Sequence, residues 1–131
     1  MKKGNYFKKG IVILLAFICM MLFVACGKEK ELELTPENLV GTWVRVIKEK
    51  GYSDATDTIE INEDLTMVDS LYAPLETTTL SFDTKYTYQL EGNKLITYNP
   101  EYKAYTEYEI ELTENQMTMT KGNETKVYDR Q

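Results

Sequence analysis

The sequence predicts an all-β protein, a small antiparallel up-and-down barrel of about 8–9 short strands preceded by a short helical turn. After Gly41 no helical periodicity remains, and short strand-like runs alternate with turn residues at intervals of roughly 8–12 residues, which is typical of an antiparallel sandwich or barrel. Within these runs apolar and polar residues alternate, so each strand has one dry and one wet face. A sheet of sequential hairpins curls over its dry face, and closing it into a barrel removes its open edges.

Turn and cap residues divide the chain into these elements. Thr35 is placed to cap a helical turn, and Pro36 suits the first helical position. Ala73-Pro74 and Asn99-Pro100 are expected to interrupt strands. The predicted strands are residues 40–47, 57–62, 65–70, 77–82, 85–90, 94–98, 104–112, 116–121 and 125–130.

The first 25 residues have the pattern of a signal peptide. Four lysines, all within residues 2–9, precede 15 uncharged residues, 11–25, a run shorter than the roughly 18 expected of a spanning helix. We therefore divide the chain into a lipoprotein signal peptide (1–25), a flexible charged tether (26–34) and a barrel domain (35–131).

The end of the signal segment, Phe23-Val24-Ala25-Cys26-Gly27, resembles a bacterial lipobox. The resemblance implies that Cys26 becomes the lipidated N-terminus and anchors the protein in the cell envelope. The expected location is the outer membrane, at its periplasmic face or at the cell surface. Cys19 is removed with the signal peptide, which leaves no disulfide and no catalytic thiol.

The charge of the mature chain limits its partners. Without the four lysines of the signal segment, 11 basic and 21 acidic residues remain, a net charge of −10. Such a surface repels nucleic acid and anionic lipid headgroups. Membrane association is therefore expected through the lipid on Cys26, whose several acyl chains exceed the single chain that binds only marginally.

The sequence carries no catalytic motif. It contains no histidine, and neither a G-x-S-x-G, a Walker nor a dinucleotide glycine pattern occurs. We expect no enzyme activity, no cofactor and no metal site. Glu63-Asp64 and the pair Asp54 and Asp57 are explained by turn chemistry rather than by calcium binding.

The motif Gly41-Thr42-Trp43 at the start of the first strand resembles that of the lipocalin-like (calycin) barrels, including small lipoproteins of Bacteroidetes. In that group the tryptophan closes one end of the barrel and an arginine of the last strand packs across it. The resemblance implies these roles for Trp43 and Arg130, with Gly41 permitting a close approach at the barrel floor.

Binding is the expected class of function. Tyrosine combines an apolar ring with a polar tip, and methionine is an adaptable wall residue. The first hypothesis is a lipid-anchored, non-catalytic carrier or sensor of a small, partly apolar molecule. The alternative is a protein–protein interaction module of the envelope, such as an inhibitor, assembly or accessory factor, with a filled barrel. The candidate ligand-binding residues are Tyr86, Tyr88, Tyr98, Tyr108, Met117 and Met119.

Overall fold

The computed structural model describes residues 29–48 and 54–131. The barrel belongs to a compact unit spanning Glu31–Gln131, and Met1–Lys30 forms a separate unit. The predicted signal peptide and Cys26 lie outside the described residues. Within the described ranges, no helix is both long enough and apolar enough to cross a membrane.

One short helix precedes the barrel. Helix α1 (Pro36–Leu39) begins after Thr35, whose hydroxyl accepts a hydrogen bond from the backbone N–H of Asn38 at 3.3 Å. Pro36 occupies the first turn, where its missing N–H costs nothing. The predicted capped turn is confirmed, and its apolar end, Leu39, is fully buried.

Nine strands make up the rest of the described chain. They are β1 (Glu31–Leu32), β2 (Gly41–Ile47), β3 (Ala55–Ile61), β4 (Thr66–Pro74), β5 (Thr79–Glu91), β6 (Lys94–Asn99), β7 (Ala104–Thr113), β8 (Gln116–Lys121) and β9 (Glu124–Arg130).

Strands β2 to β9 pair in sequence order, all antiparallel, and the pairing of β9 with β2 closes an eight-stranded barrel. This is the predicted up-and-down meander. The closing seam is short: among the described residues only Trp43 with Arg130 and Val44 with Asp129 are in register, whereas seven residue pairs join β2 to β3.

The longest hairpin differs from the prediction. The expected strands 77–82 and 85–90 form one continuous strand, β5, of 13 residues. Pro74 does not interrupt β4. In the described part of the chain, the pairing of β4 with β3 ends at Tyr72, so Pro74 pairs with β5 alone. Proline is tolerated where only one side of a strand is paired.

Strand β1 was not expected. The sequence predicts a disordered tether over residues 26–34, but Glu31 and Leu32 pair with Thr113 and Leu112 of β7. That prediction is wrong at these residues, because Leu32 and Leu34 pack against the barrel core and their burial offsets the cost of ordering the chain.

The core lies toward one end of the barrel. It combines Leu39 of α1 with the inward-facing side chains of the strands. Its fully or almost fully buried members are Leu39, Trp43, Ile59, Ile61, Met67, Tyr88, Leu95, Ile110, Leu112, Met117, Met119 and Tyr128.

Candidate functional site

The closed end of the barrel, called the floor below, is built on Trp43 and Arg130. The Trp43 ring is fully buried, and its Nε1–H donates to the carbonyl oxygen of Leu39 at 2.9 Å. The guanidinium carbon of Arg130 lies 4.1 Å from the centroid of the indole ring. The structure thus brings together the two residues that the sequence singled out, in a cation–π contact.

Arg130 also binds three backbone carbonyls in two other segments. Its Nη2 donates to the carbonyl of Asn38 at 2.7 Å and its Nη1 to that of Val40 at 3.0 Å. Its Nε donates to the carbonyl of Glu114 in the β7–β8 turn, also at 2.7 Å. The planar fork of an arginine can reach several carbonyls at once, which a lysine ammonium does less well.

Gly41 leaves the space that Arg130 occupies. A Cβ built on Gly41 would lie 2.9 Å from Nη1 of Arg130, and the backbone there has φ +143°, which favours glycine. The close approach predicted for the preceding turn is made instead by the guanidinium of the last strand.

Toward the opposite end of the barrel, the inward-facing side chains of two described strands become more exposed. Along β4 the exposed fraction rises from 3% at Met67 to 37% at Leu71. Along β5 it rises from 4% at Tyr88, through a half-buried Tyr86, to 58% at Phe82. On β3 and β6 the inward side chains stay buried. We call the interior at this end, bounded mainly by β2, β4, β5, β7 and β9, the cup.

Charged residues lie inside the barrel between the core and the cup. Tyr128 donates its hydroxyl to Oδ2 of Asp57 at 2.7 Å, and Nη2 of Arg45 donates to the same oxygen at 3.3 Å. The guanidinium of Arg45 also lies 5.6 Å from the centroid of the Tyr128 ring. Burial raises the pKa of Asp57, but hydrogen bonds with Asp69, Tyr128 and Arg45 outweigh it and hold that pKa below its usual range.

Asp69 completes this cluster in a different ionisation state. Burial, a hydrogen bond to Asp57 and the charge of Asp57 raise the pKa of Asp69 to about 8. Oδ1 of each carboxyl is buried and is bonded to no N–H or O–H group of the described residues. A proton on Asp69, donated to Asp57, explains both observations because it satisfies the two oxygens together.

Two tyrosines line the cup near Asp69, one on the neighbouring strand β5 and one on β7. Tyr86 of β5 and Tyr108 of β7 are half-buried. The pKa of each hydroxyl is raised, chiefly by burial, with a further contribution from the negative charge of Asp69. These tyrosines give the cup an amphipathic wall: ring faces beside hydroxyl groups.

Two depressions lie at the outside of the barrel. Beyond the last β7–β8 pair, Glu109 with Thr120, a depression of about 250 Å³ is lined by Tyr108, Lys94 and Lys121 among others. A second depression, of about 170 Å³, lies over β5, β6 and β7 and includes Tyr98 and Tyr105. We call the second one the outer tyrosine depression.

A solved structure and a protein family match this architecture. The NMR structure of a protein from Bacteroides thetaiotaomicron VPI-5482 has a TM-score of 0.59 and 20% identity to this chain. The match covers 79% of this chain and 99% of that one, and it shows a shared fold. No curated protein matches the sequence. Residues 39–119 match the lipocalin-like domain.

The chain belongs to the lipocalin-like domain family. The match covers more than half of the chain, from Leu39 of the floor to Met119 of β8. Arg130 lies beyond the matched range, yet it forms the seal over Trp43, so the floor of this lipocalin-like domain uses both the matched region and the last strand.

The six candidate ligand-binding residues of the lipocalin-like domain do not form one site. Tyr86 and Tyr108 face the cup. Tyr88, Met117 and Met119 are core residues, and the Tyr88 hydroxyl donates to the carbonyl of Asn62 at 3.1 Å. The sixth residue, Tyr98, lies on the outer surface with its ring centroid 4.7 Å from that of Tyr105.

Sequence reasoning missed the charged cluster of the lipocalin-like domain. Asp57 was assigned to turn chemistry, which is wrong because it lies within β3 and faces inward with Ile59 and Ile61. The available signal was an aspartate on the apolar face of a strand, repeated at Asp69. Turn chemistry does hold at Asp64, whose Oδ1 accepts from both the backbone N–H and the hydroxyl of Thr66.

The structure also bears on metal binding. In residues 29–48 and 54–131, no group of three or more His, Cys, Asp or Glu side chains is arranged to hold a metal ion.

Replacing Arg130 by lysine is expected to lower the free energy of unfolding by about 1–3 kcal/mol, because the ammonium cannot donate to three carbonyls while lying flat on an indole ring. Thermal unfolding followed by circular dichroism measures the loss. Lys85→Arg, the reverse exchange on the exposed face of β5, serves as the control and should leave Tm unchanged. An Arg130→Lys variant as stable as the wild type would contradict this role.

Stability is expected to fall as pH rises from about 4 to about 8. Over this range folded Asp69 retains a proton that the unfolded chain has lost, since its folded pKa of about 8 lies above its ordinary value of 3.8. Asp69→Asn cannot ionise and its amide can donate to Asp57. The Tm of Asp69→Asn minus the Tm of the wild type should therefore increase from pH 5 to pH 8.5.

The matched control for this titration is Asp83→Asn, an exposed aspartate on β5. Its Tm difference from the wild type should stay constant across the same range. A constant difference for Asp69→Asn as well would show that Asp69 does not hold the proton.

Proposed function

We propose that this lipocalin-like domain binds a small, partly apolar molecule in the cup, and that the protein is a non-catalytic, lipid-anchored component of the cell envelope. The observation that carries the binding proposal is the increase in exposure of inward-facing side chains from the floor to the opposite end. An eight-stranded barrel has room for one small ligand where its own side chains do not fill the interior.

The lining of the cup supports a ligand of mixed character. Leu71 and Phe82 are paired in register near the rim of the β4–β5 hairpin, and both expose apolar surface. Deeper in the cup, Tyr86 and Tyr108 supply hydroxyl groups beside Asp69. Sites of this kind combine apolar walls with a few polar groups that orient the ligand.

The neutral fluorescent probe N-phenyl-1-naphthylamine tests the cup. Thr84 is a half-buried, inward-facing residue of β5, so Thr84→Trp places an indole in the cup. We expect this variant to bind the probe at least about ten-fold more weakly than the wild type, a loss of about 1.4 kcal/mol.

Thr87→Trp is the matched control, because Thr87 is exposed and lines the outer tyrosine depression. It should bind the probe as the wild type does. Fluorescence titration that shows no enhancement with the wild-type protein, or an affinity unchanged by Thr84→Trp, would contradict binding in the cup.

The interaction-module alternative has an observation of its own. Tyr102 and Tyr105 are 72% and 71% exposed, and Tyr105 packs beside Tyr98 in the outer tyrosine depression. Exposed tyrosines are enriched in protein interfaces. Loss of probe binding in Thr87→Trp alone would favour this surface over the cup.

The lipid anchor is proposed from the lipobox-like segment ending at Cys26. Mass spectrometry of protein purified from membranes of its own host should show acyl chains on an N-terminal Cys26. A Cys26→Ser variant should leave the membrane fraction. Wild-type protein that carries no acyl mass, or a Cys26→Ser variant that stays membrane-bound, would contradict the anchor.

A further inference from the structure

The inward-facing charged groups around the cup come from four adjacent strands. Arg45 of β2, Asp57 of β3 and Asp69 of β4 lie deepest, and Lys126 and Glu124 of β9 lie nearer the open end. Three tyrosine hydroxyls complete the set. The titratable and charged groups facing Asp69 are therefore Arg45, Asp57, Tyr86, Tyr108, Glu124, Lys126 and Tyr128.

Two ion pairs form within this set, and the carboxyl of Asp69 takes part in neither. Arg45 pairs with Asp57 at 3.3 Å, and Lys126 pairs with Glu124 at 3.7 Å. In the described ranges no lysine or arginine nitrogen lies within ion-pairing distance of Asp69. The cup therefore contains one acidic group without a cation of its own.

A buried carboxylate oxygen beside Asp69 also favours a positively charged ligand. The Asp57 side chain is only 7% exposed, and its Oδ1 receives no hydrogen bond from a nitrogen or hydroxyl of the described chain. Such a buried acceptor is costly unless it is paired. In the free protein the proton on Asp69 satisfies this oxygen. With both carboxyls ionised, the pair would instead attract a cation.

We propose that the cup binds an organic cation, a small molecule with an apolar body and a protonated amine, whose ammonium group pairs with Asp69 near Tyr86 and Tyr108. This rests on the proposed function, because it names the ligand class of the same cup. Tyrosine ring faces attract ammonium groups, and both tyrosines are close enough to Asp69 for its charge to raise the pKa of their hydroxyls. An anionic ligand would instead face two carboxyl groups. Arg45 pairs with Asp57 through Nη2, and of its buried nitrogens only Nε has no hydrogen-bond partner among the described residues.

Binding of the amine replaces the proton on Asp69 with the ammonium group of the ligand. Asp69 releases its proton to solvent as the ammonium enters, and the N–H groups of the ammonium donate to the ionised Asp69 and to Oδ1 of Asp57 in place of that proton. At pH 7 this proton release reduces affinity by about ten-fold, since the pKa of Asp69 is about 8. The apparent affinity for the amine should therefore increase as pH rises from 6 to 8.

Three probes with the same alkyl chain test the ligand class: n-octylamine, n-octanol and sodium octanoate. Isothermal titration calorimetry at pH 7 should rank octylamine tightest, by at least about ten-fold over octanol. Titrations in phosphate and in Tris buffer count the protons exchanged. They should show close to one proton released with octylamine and none with octanol.

Asp69→Asn should abolish both the preference for octylamine and the proton release, while octanol binding persists and reports an intact cup. Asp83→Asn is the control and should behave as the wild type. Octanoate binding more tightly than octylamine, or an octylamine affinity unchanged by Asp69→Asn, would overturn the inference. If none of the three probes binds in a way that Thr84→Trp blocks, the proposed function itself fails. Octanol binding without an amine preference refutes the amine alone.

Discussion

The stacking of Arg130 on Trp43 is the contact on which the closed barrel depends. In the described residues, the seam between the first and last barrel strands contains only two residue pairs in register, so backbone pairing alone holds it weakly. One guanidinium adds three hydrogen bonds to carbonyls and covers an aromatic face at that seam. Because those carbonyls lie at the C-terminal end of α1 and in the β7–β8 turn, the same side chain also fixes the helix and the turn on the barrel.

The interior combines two regions with different demands. Near the floor, apolar side chains are buried and contribute to stability in proportion to their area. Toward the cup, Arg45, Asp57 and Asp69 occupy positions that leucine or valine could fill with less desolvation cost. A barrel that served only as a stable scaffold would gain little stability from charged residues at these positions. Charged groups in partly exposed interior positions are typical of functional sites, where selectivity matters more than stability.

Local patterns were sufficient to predict the fold class and much of its detail. Alternation at Tyr86, Tyr88 and Leu90 indicated an inward face, and Thr35 with Pro36 indicated the helical turn. The errors have a common cause, which is tertiary context. Pro74 is tolerated because a neighbouring strand has ended, and β1 forms because Leu32 finds a buried place beside β7. Neither condition is visible in the residues themselves.

The candidate site was harder to predict for the same reason. Alternation shows that Tyr86 and Tyr88 share a face, but only the depth of each residue in the barrel separates a cup tyrosine from a core tyrosine. Tyr98 is in register with Thr87, which neighbours Tyr86 on β5 and points to the opposite face of the sheet, so Tyr98 lies outside the barrel. Asp57 and Asp69 come from different strands, and their shared proton exists only once register places them diagonally opposite each other on the inner face.

The position of β1 has a consequence for the edge of the sheet. Strand β6 pairs with β7 only as far as Glu109, and β1 takes the place beside β7 at Leu112 and Thr113. Leu32 and Leu34 pack against the core at the same end. Two residues of β1 thus cover a stretch of β7 that would otherwise be an open sheet edge, where another strand could add.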